Sequence, residues 1–157
     1  MENNTDSPGV YIPPPLFYIL IFLAAVFMQK GVPIDNSLFH VLITKLAGIL
    51  FILGSLFFII TAFSKFFKSK NTVILIKPAS SLQTDGIYHI SRNPMYVGMG
   101  FIYIGLTCLL GNWWNMILFP ILLIIIQEYV IKSEENYLGR AFGEKYQEYK
   151  KNVRRWL

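Results

Sequence analysis

The chain has 157 residues, 54% of them hydrophobic and only 15% charged, with a formal net charge of +5 and a mean hydropathy of +0.48. Those values with several long apolar runs exclude a soluble core and indicate one integral membrane domain; because most cations flank the apolar runs, the positive balance points to an anionic membrane face and excludes nucleic acid. The single cysteine, Cys108, leaves no internal disulfide and falls in an apolar run, where a buried inert thiol is expected.

Residues 1–12 read as a polar tail, with Glu2 and Asp6 where a signal peptide would carry cations, so no cleaved leader is expected. Pro13-Pro14-Pro15 introduces a first span over 14–30, and Gly31 to Asn36 is a turn. The second span covers 38–67, with His40 and Lys45 near one end as interfacial and snorkelling side chains. A polar connection, 68–93, follows; its Val73-Ile-Leu-Ile76 run is too short to cross a bilayer and is stopped by Pro78. The third and fourth spans, 94–110 and 113–131, are joined only by Gly111-Asn112, which demands an antiparallel helical hairpin with Trp113 and Trp114 in the interfacial belt.

Beyond the fourth span, Leu138, Phe142, Tyr146, Tyr149, Val153 and Trp156 recur every three or four residues with Arg140, Lys145, Lys150, Lys151, Arg154 and Arg155 between them. That pattern predicts a basic amphipathic surface helix, broken near Gly143. The expected fold is therefore an all-α membrane bundle of four transmembrane helices and a C-terminal surface helix, in a single domain spanning 1–157. Four spans put the 68–93 connection and the 132–157 tail on one side, and their lysines and arginines make that side cytoplasmic.

The chemistry is concentrated between Ser81 and Gly100. Asp85-Gly86 is a turn signal, Pro94 suits the first position of a helix, and Asn93 or Ser91 can cap it. The start of the third span then presents free N–H groups and the positive end of a helix dipole beside Arg92, an anion receptor. The hairpin brings this start to the Glu134-Glu135 pair at the exit of the fourth span, and an anion receptor with a carboxylate pair suits a zwitterionic ligand. Each part also has a plainer reading: Gly98 and Gly100 as helix-packing glycines, Tyr88 and Tyr96 as interfacial aromatics, the acid pair as solvated.

Leu82-x-x-x-Gly86-x-Tyr88-x-x-x-Arg92-Asn93-Pro94-x-Tyr96-x-Gly98, followed by Glu134-Glu135-x-x-Leu138-x-x-x-Phe142-Gly143-x-x-Tyr146-x-x-Tyr149, resembles the isoprenylcysteine carboxyl methyltransferase family and the related phospholipid N-methyltransferases. The likeness covers the second half of the chain, and bacterial members with a closing Val153-Arg154-Arg155-Trp156 are the most similar. It implies S-adenosylmethionine as cofactor, lined by Ser80, Ser81, Leu82 and Gln83 with Tyr88 beside them. Asn93, Pro94, Met95 and Tyr96 would meet its amino-acid end, and Gly98, Gly100, Glu134 and Glu135 would complete the pocket; on the hairpin geometry, Arg92 and Glu135 are expected to hold opposite ends of the bound cofactor. Two departures stand out: eukaryotic carboxyl methyltransferases have His where this chain has Asn93, an amide that cannot act as a base, and Glu128 stands near the position of an arginine.

The resulting expectation is methyl transfer to a small or lipid-like acceptor at the cytoplasmic face of a bacterial inner membrane, with no metal, no nucleic acid and no obligate protein partner. A carboxylate acceptor needs no base. His89 is the one candidate base for an amine, so an oxygen or sulfur acceptor is favoured, with Glu128 as a candidate substrate contact. Two other readings remain: an NADPH-dependent membrane reductase, since sterol reductases are similar around Tyr88 to Gly98, and a non-enzymatic membrane scaffold.

Overall fold

A computed structural model describes residues 7–68 and 81–157, the side chains of 66–68 excepted. The expected short run Val73-Ile-Leu-Ile76, with Lys70, Lys77, Pro78 and Ser80, lies outside the described residues. Within them the chain forms α1 (Pro14–Gly31), α2 (Leu42–Lys68), α3 (Pro94–Leu110), α4 (Trp113–Ile125) and α5 (Lys132–Asn152), with 3-10 turns at Ser37–Phe39 and Gly86–His89. Among the described residues there is no strand, and the all-α membrane bundle stands. α1, most of α2 and the helix beginning at Trp113 are long and apolar enough to cross a membrane, while α3 is apolar but shorter. At 1.5 Å per residue its 17 residues reach roughly 25 Å, which spans a hydrocarbon core of about 30 Å only with its flanking turns.

Each span forms where an apolar run has helix-compatible ends. Pro14 and Pro94 sit in the first turns of α1 and α3, where a missing N–H costs nothing. α3 ends because Gly111 takes a left-handed conformation (φ 71°) and returns its N–H to the Thr107 carbonyl; α4 starts because the Asn112 side chain accepts from the Trp114 N–H. The two-residue hairpin is thus built as its sequence requires. Asn112 also donates to the Ala25 carbonyl (3.2 Å), and Trp114 donates its indole N–H to Val32 O (2.8 Å), tying the hairpin tip to the end of α1.

α3 packs most closely on α2, and α1 on α4. The α2–α3 seam is made by small residues: a side chain at Gly105 would meet the Gly48 carbonyl at 2.9 Å, and one at Gly98 would meet Ile59 Cγ1 at 2.6 Å. Large apolar side chains such as Leu20, Phe27, Leu50, Ile60 and Ile124 face outward, as they must where the solvent is lipid. His40 and Lys45 are exposed, and Cys108 is buried.

α4 and α5 are one continuous helix interrupted by a π-helical segment, Ile126–Ile131, that the sequence pattern does not announce. Farther on, Gly143 leaves helical geometry (φ 53°, ψ −127°), confirming a break there and turning the second half of α5 back toward the bundle. The helix ends at Asn152 rather than continuing through Trp156. Val153 is extended and buried, and Trp156 packs into the core between α3, α4 and α5.

Candidate active site

The end of the bundle opposite the hairpin gathers the start of α3, the junction of α4 with α5, the 3-10 turn Gly86–His89 and the C-terminal residues. A Lys65–Asp85 ion pair fastens that turn to α2, and the Tyr149 hydroxyl donates to the Tyr88 carbonyl (2.6 Å), fastening it to α5. The last residues form a strap across the start of α3. The Arg92 N–H donates to Arg154 O (2.9 Å), while Ser91 Oγ (3.1 Å) and Asn93 Nδ2 (2.9 Å) both donate to Arg155 O.

This corrects the expected role of Ser91 and Asn93. Asn93 occupies the cap position without a capping bond and its Nδ2 is turned to the strap, while Ser91 Oγ accepts the Asn93 N–H (3.1 Å) as it donates to the strap. The Arg155 carbonyl thereby satisfies two buried donors at once.

Glu135 lies at the centre. It accepts two hydrogen bonds from Arg155, Nε to Oε1 and Nη2 to Oε2, each 2.9 Å. Arg92 Nη2 stands 3.2 Å from Oε1 and Lys150 Nζ 3.5 Å from Oε2. Burial pushes the Glu135 carboxyl up, but the Arg155 hydrogen bonds and the charges of Arg92, Arg155 and Lys150 together hold it below the usual range, and the same contact raises Arg155. Arg92 and Glu135 are thus an ion pair in this structure. Lys150, read from the sequence as one of the cations of the surface helix, belongs to the cluster.

Glu134, its neighbour, is in a different state. Its side chain is partly buried, accepts a short hydrogen bond from the Tyr96 hydroxyl (2.6 Å), and has no ion-pair partner among the described residues. Burial, reinforced by the Glu135 charge and only partly offset by the Tyr96 hydrogen bond, raises its pKa to about 7. Tyr88 is close enough to feel that charge. Both acids lie beyond Ile131, past the end of the apolar run.

Arg92 is the counterpart. Its side chain is 9% exposed, yet among the described residues Nε and Nη1 have no hydrogen-bond partner. Buried guanidinium N–H groups without acceptors are costly, and an anion would satisfy them. A partly buried carboxylate without a cation and a buried guanidinium with spare donors, beside a neutralised Glu135, fit a ligand carrying both charges. The amino-acid end of S-adenosylmethionine is such a group.

The remaining candidates divide. Pro94 and Tyr96 are buried in the first turn of α3, and Leu82 and Met95 pack against the cluster that holds Tyr88 and Tyr146. Gln83 donates to Ser81 Oγ (2.9 Å). Gly98 faces α2 and Gly100 faces Phe119 of α4, so the structure gives them packing surroundings. His89 is exposed, and Glu128 is engaged on the exposed face with Lys132 at 2.5 Å. Sequence reasoning missed Arg155 and Lys150, because both read as gap-filling cations of an amphipathic helix.

The phospholipid methyltransferase family matches residues 43–145, from the first turn of α2 to just beyond Gly143. A protein-S-isoprenylcysteine O-methyltransferase from Schizosaccharomyces pombe is 42% identical over 72 residues, 46% of this chain and 30% of that protein. An uncharacterized protein from Haemophilus influenzae is 39% identical over 66 residues, 40% of this chain and its own whole length. The match thus spans under a third of the yeast relative. No solved structure matches.

Proposed function

The chain belongs to the phospholipid methyltransferase family, and from that premise we propose that it transfers a methyl group from S-adenosylmethionine to a lipid-like or small acceptor at the cytoplasmic membrane face. The observation that carries the reading is the pairing of charges: among the described residues Arg92 has two buried donor nitrogens without acceptors, and the partly buried Glu134 has no cation. Arg92 takes the cofactor carboxylate in charge-assisted hydrogen bonds, helped by the dipole of α3. Glu134, ionised, faces its cationic centre, with Tyr96 fixing the carboxylate. Neighbouring aromatic rings, Tyr88 and Tyr96, exclude water.

When bound, the cofactor supplies an activated sulfonium methyl, so the protein's work is alignment in a dry pocket. His89 is exposed and Asn93 is tied to the strap, so neither is placed to deprotonate an amine acceptor. The yeast relative is named for O-methylation of an isoprenylcysteine, and a lipid-like acceptor here draws support from that likeness. The cytoplasmic assignment rests on charge: Arg92, Lys132, Arg140, Lys150, Arg154 and Arg155 lie toward the site end, against Lys30 and Lys45 at the other.

Ligand-dependent thermal stability tests the reading. S-adenosylhomocysteine at a hundredfold excess over its Kd adds about 2.7 kcal/mol to the stability of the protein in detergent, and NADPH adds nothing. Stabilisation by NADPH alone would install the reductase reading; stabilisation by neither would favour a scaffold.

A further inference from the structure

The family match ends at residue 145, so the strap that crosses the start of α3 lies beyond it. That strap is stitched to each residue around the anion receptor: Ser91 and Asn93 by their side chains, Arg92 by its main-chain N–H. Its one inward cation, Arg155, grips both oxygens of Glu135. Arg92 reaches the same carboxylate only through Nη2, at 3.2 Å.

We propose that Arg155 is a positioning residue for the cofactor site: by occupying Glu135 with a two-pronged contact, it keeps Glu135 from closing on Arg92 and so leaves the Arg92 donors open to the ligand's carboxylate. The inference rests on the cofactor reading given above. A carboxylate has two oxygens and accepts a guanidinium best in a parallel fork. With Arg155 present both oxygens are taken, Arg92 touches Glu135 by one edge only, and its Nε and Nη1 are left without acceptors among the described residues. Without it, Glu135 has a free oxygen and one fewer cation, and the nearest guanidinium is that of Arg92. The fork then forms there, and the receptor is filled from inside the protein. Lys150, half-exposed and 3.5 Å away on a flexible stem, cannot reproduce the planar grip.

Titration calorimetry of the full chain in detergent decides this with two probes: S-adenosylhomocysteine, and 5′-methylthioadenosine, which keeps the adenosine and thioether but has no amino-acid end. The parent protein favours S-adenosylhomocysteine. Arg155→Gln lowers its affinity about tenfold while leaving 5′-methylthioadenosine binding unchanged, so the preference shrinks. Arg155→Lys, which keeps the charge without the fork, falls between, and Lys151→Gln on the exposed face of α5 matches the parent. A merely structural strap would lose both ligands together, and that outcome overturns the proposal. So does an Arg155→Gln variant that keeps the full preference while Arg92→Gln loses it, in which case the cofactor reading survives alone. If Arg92→Gln keeps the preference as well, or the parent binds neither probe, the cofactor reading fails and this proposal fails with it.

Discussion

The two ends of this bundle solve the same problem, joining antiparallel helices, with opposite chemistry. At the hairpin end the side chains that tie the helices together are neutral: Asn112 caps α4 and holds α1, Asn36 reaches Gly111 O, and Trp114 bonds to Val32 O, while Asn115 accepts from the Tyr103 hydroxyl and leaves its own Nδ2 without a partner among the described residues. At the other end the polar groups are charged, and some are left over. A helix joint needs only to satisfy its own backbone. A spare amide donor occurs at the hairpin end as well, on Asn115; what the other end adds is charge, the spare donors of a guanidinium and a carboxylate with no cation among the described residues, and charge is what separates a binding site from a connection.

Glu135→Gln is the most severe way to break this contrast. Removing one partner from a buried ion pair costs about 3–5 kcal/mol, and here three cations would be left facing each other. The half-exposed Lys150 places the expected loss near the lower figure, read as a fall in unfolding stability in detergent micelles. Parent-like stability would mean that the charged end is solvated and holds no built cluster. Arg92→Gln removes charge-assisted hydrogen bonds of about 1.5–3 kcal/mol, and weakens S-adenosylhomocysteine binding tenfold or more while the fold persists. Gly98→Leu overpacks the α2–α3 seam at a cost of about 1–3 kcal/mol. The expected signature is a lowered melting temperature, and a lost ligand site with unchanged stability would return Gly98 to the pocket.

Much of the near-end logic was absent from the sequence for a physical reason. Spans and hairpin follow from local properties, apolar run length and the Gly111-Asn112 punctuation, and both were legible. Arg92, Tyr96 and the acid pair were legible as a constellation, because the hairpin forces their neighbourhood. The division of labour between Glu134 and Glu135 was not, since adjacent identical side chains differ only in what the fold places against them. Nor was the strap: its bonds to α3 are accepted by the carbonyls of Arg154 and Arg155, and a carbonyl carries no residue signature. Gly98 shows the converse, a position matched to a site motif whose surroundings are those of a packing glycine.

Glu134 sharpens the comparison through pH. A carboxyl raised in the folded state to about 7, from about 4.3 in the unfolded chain, contributes stability that is fully present below the unfolded value and is lost as pH rises through 7. Ligand binding runs the other way, because facing a cation requires the ionised form. S-adenosylhomocysteine affinity at its protonated amine should therefore drop by up to about tenfold, about 1.4 kcal/mol, per pH unit below 7, and Glu134→Gln should flatten the profile. At the far end Asn112→Ala is the mildest change: losing a helix cap costs about 1 kcal/mol, with ligand affinity unaltered. Any loss of affinity would mean the two ends are coupled.

The π-helical segment settles which acid meets which partner. Along the helix from Trp113 the buried positions run Leu122, Ile126, then both Val130 and Ile131, then Glu135: the two adjacent buried positions lie inside the π-helical segment, where the stripe widens from a four-residue to a five-residue step. Each residue turns an α-helix by about 100°, so that single wide step rephases everything downstream. Deleting one residue inside it would restore the regular register and deliver the acids to the cations one place out of step. A register shift in the backbone thus selects between two identical neighbours, and the membrane half of the helix is free to keep its own face toward lipid.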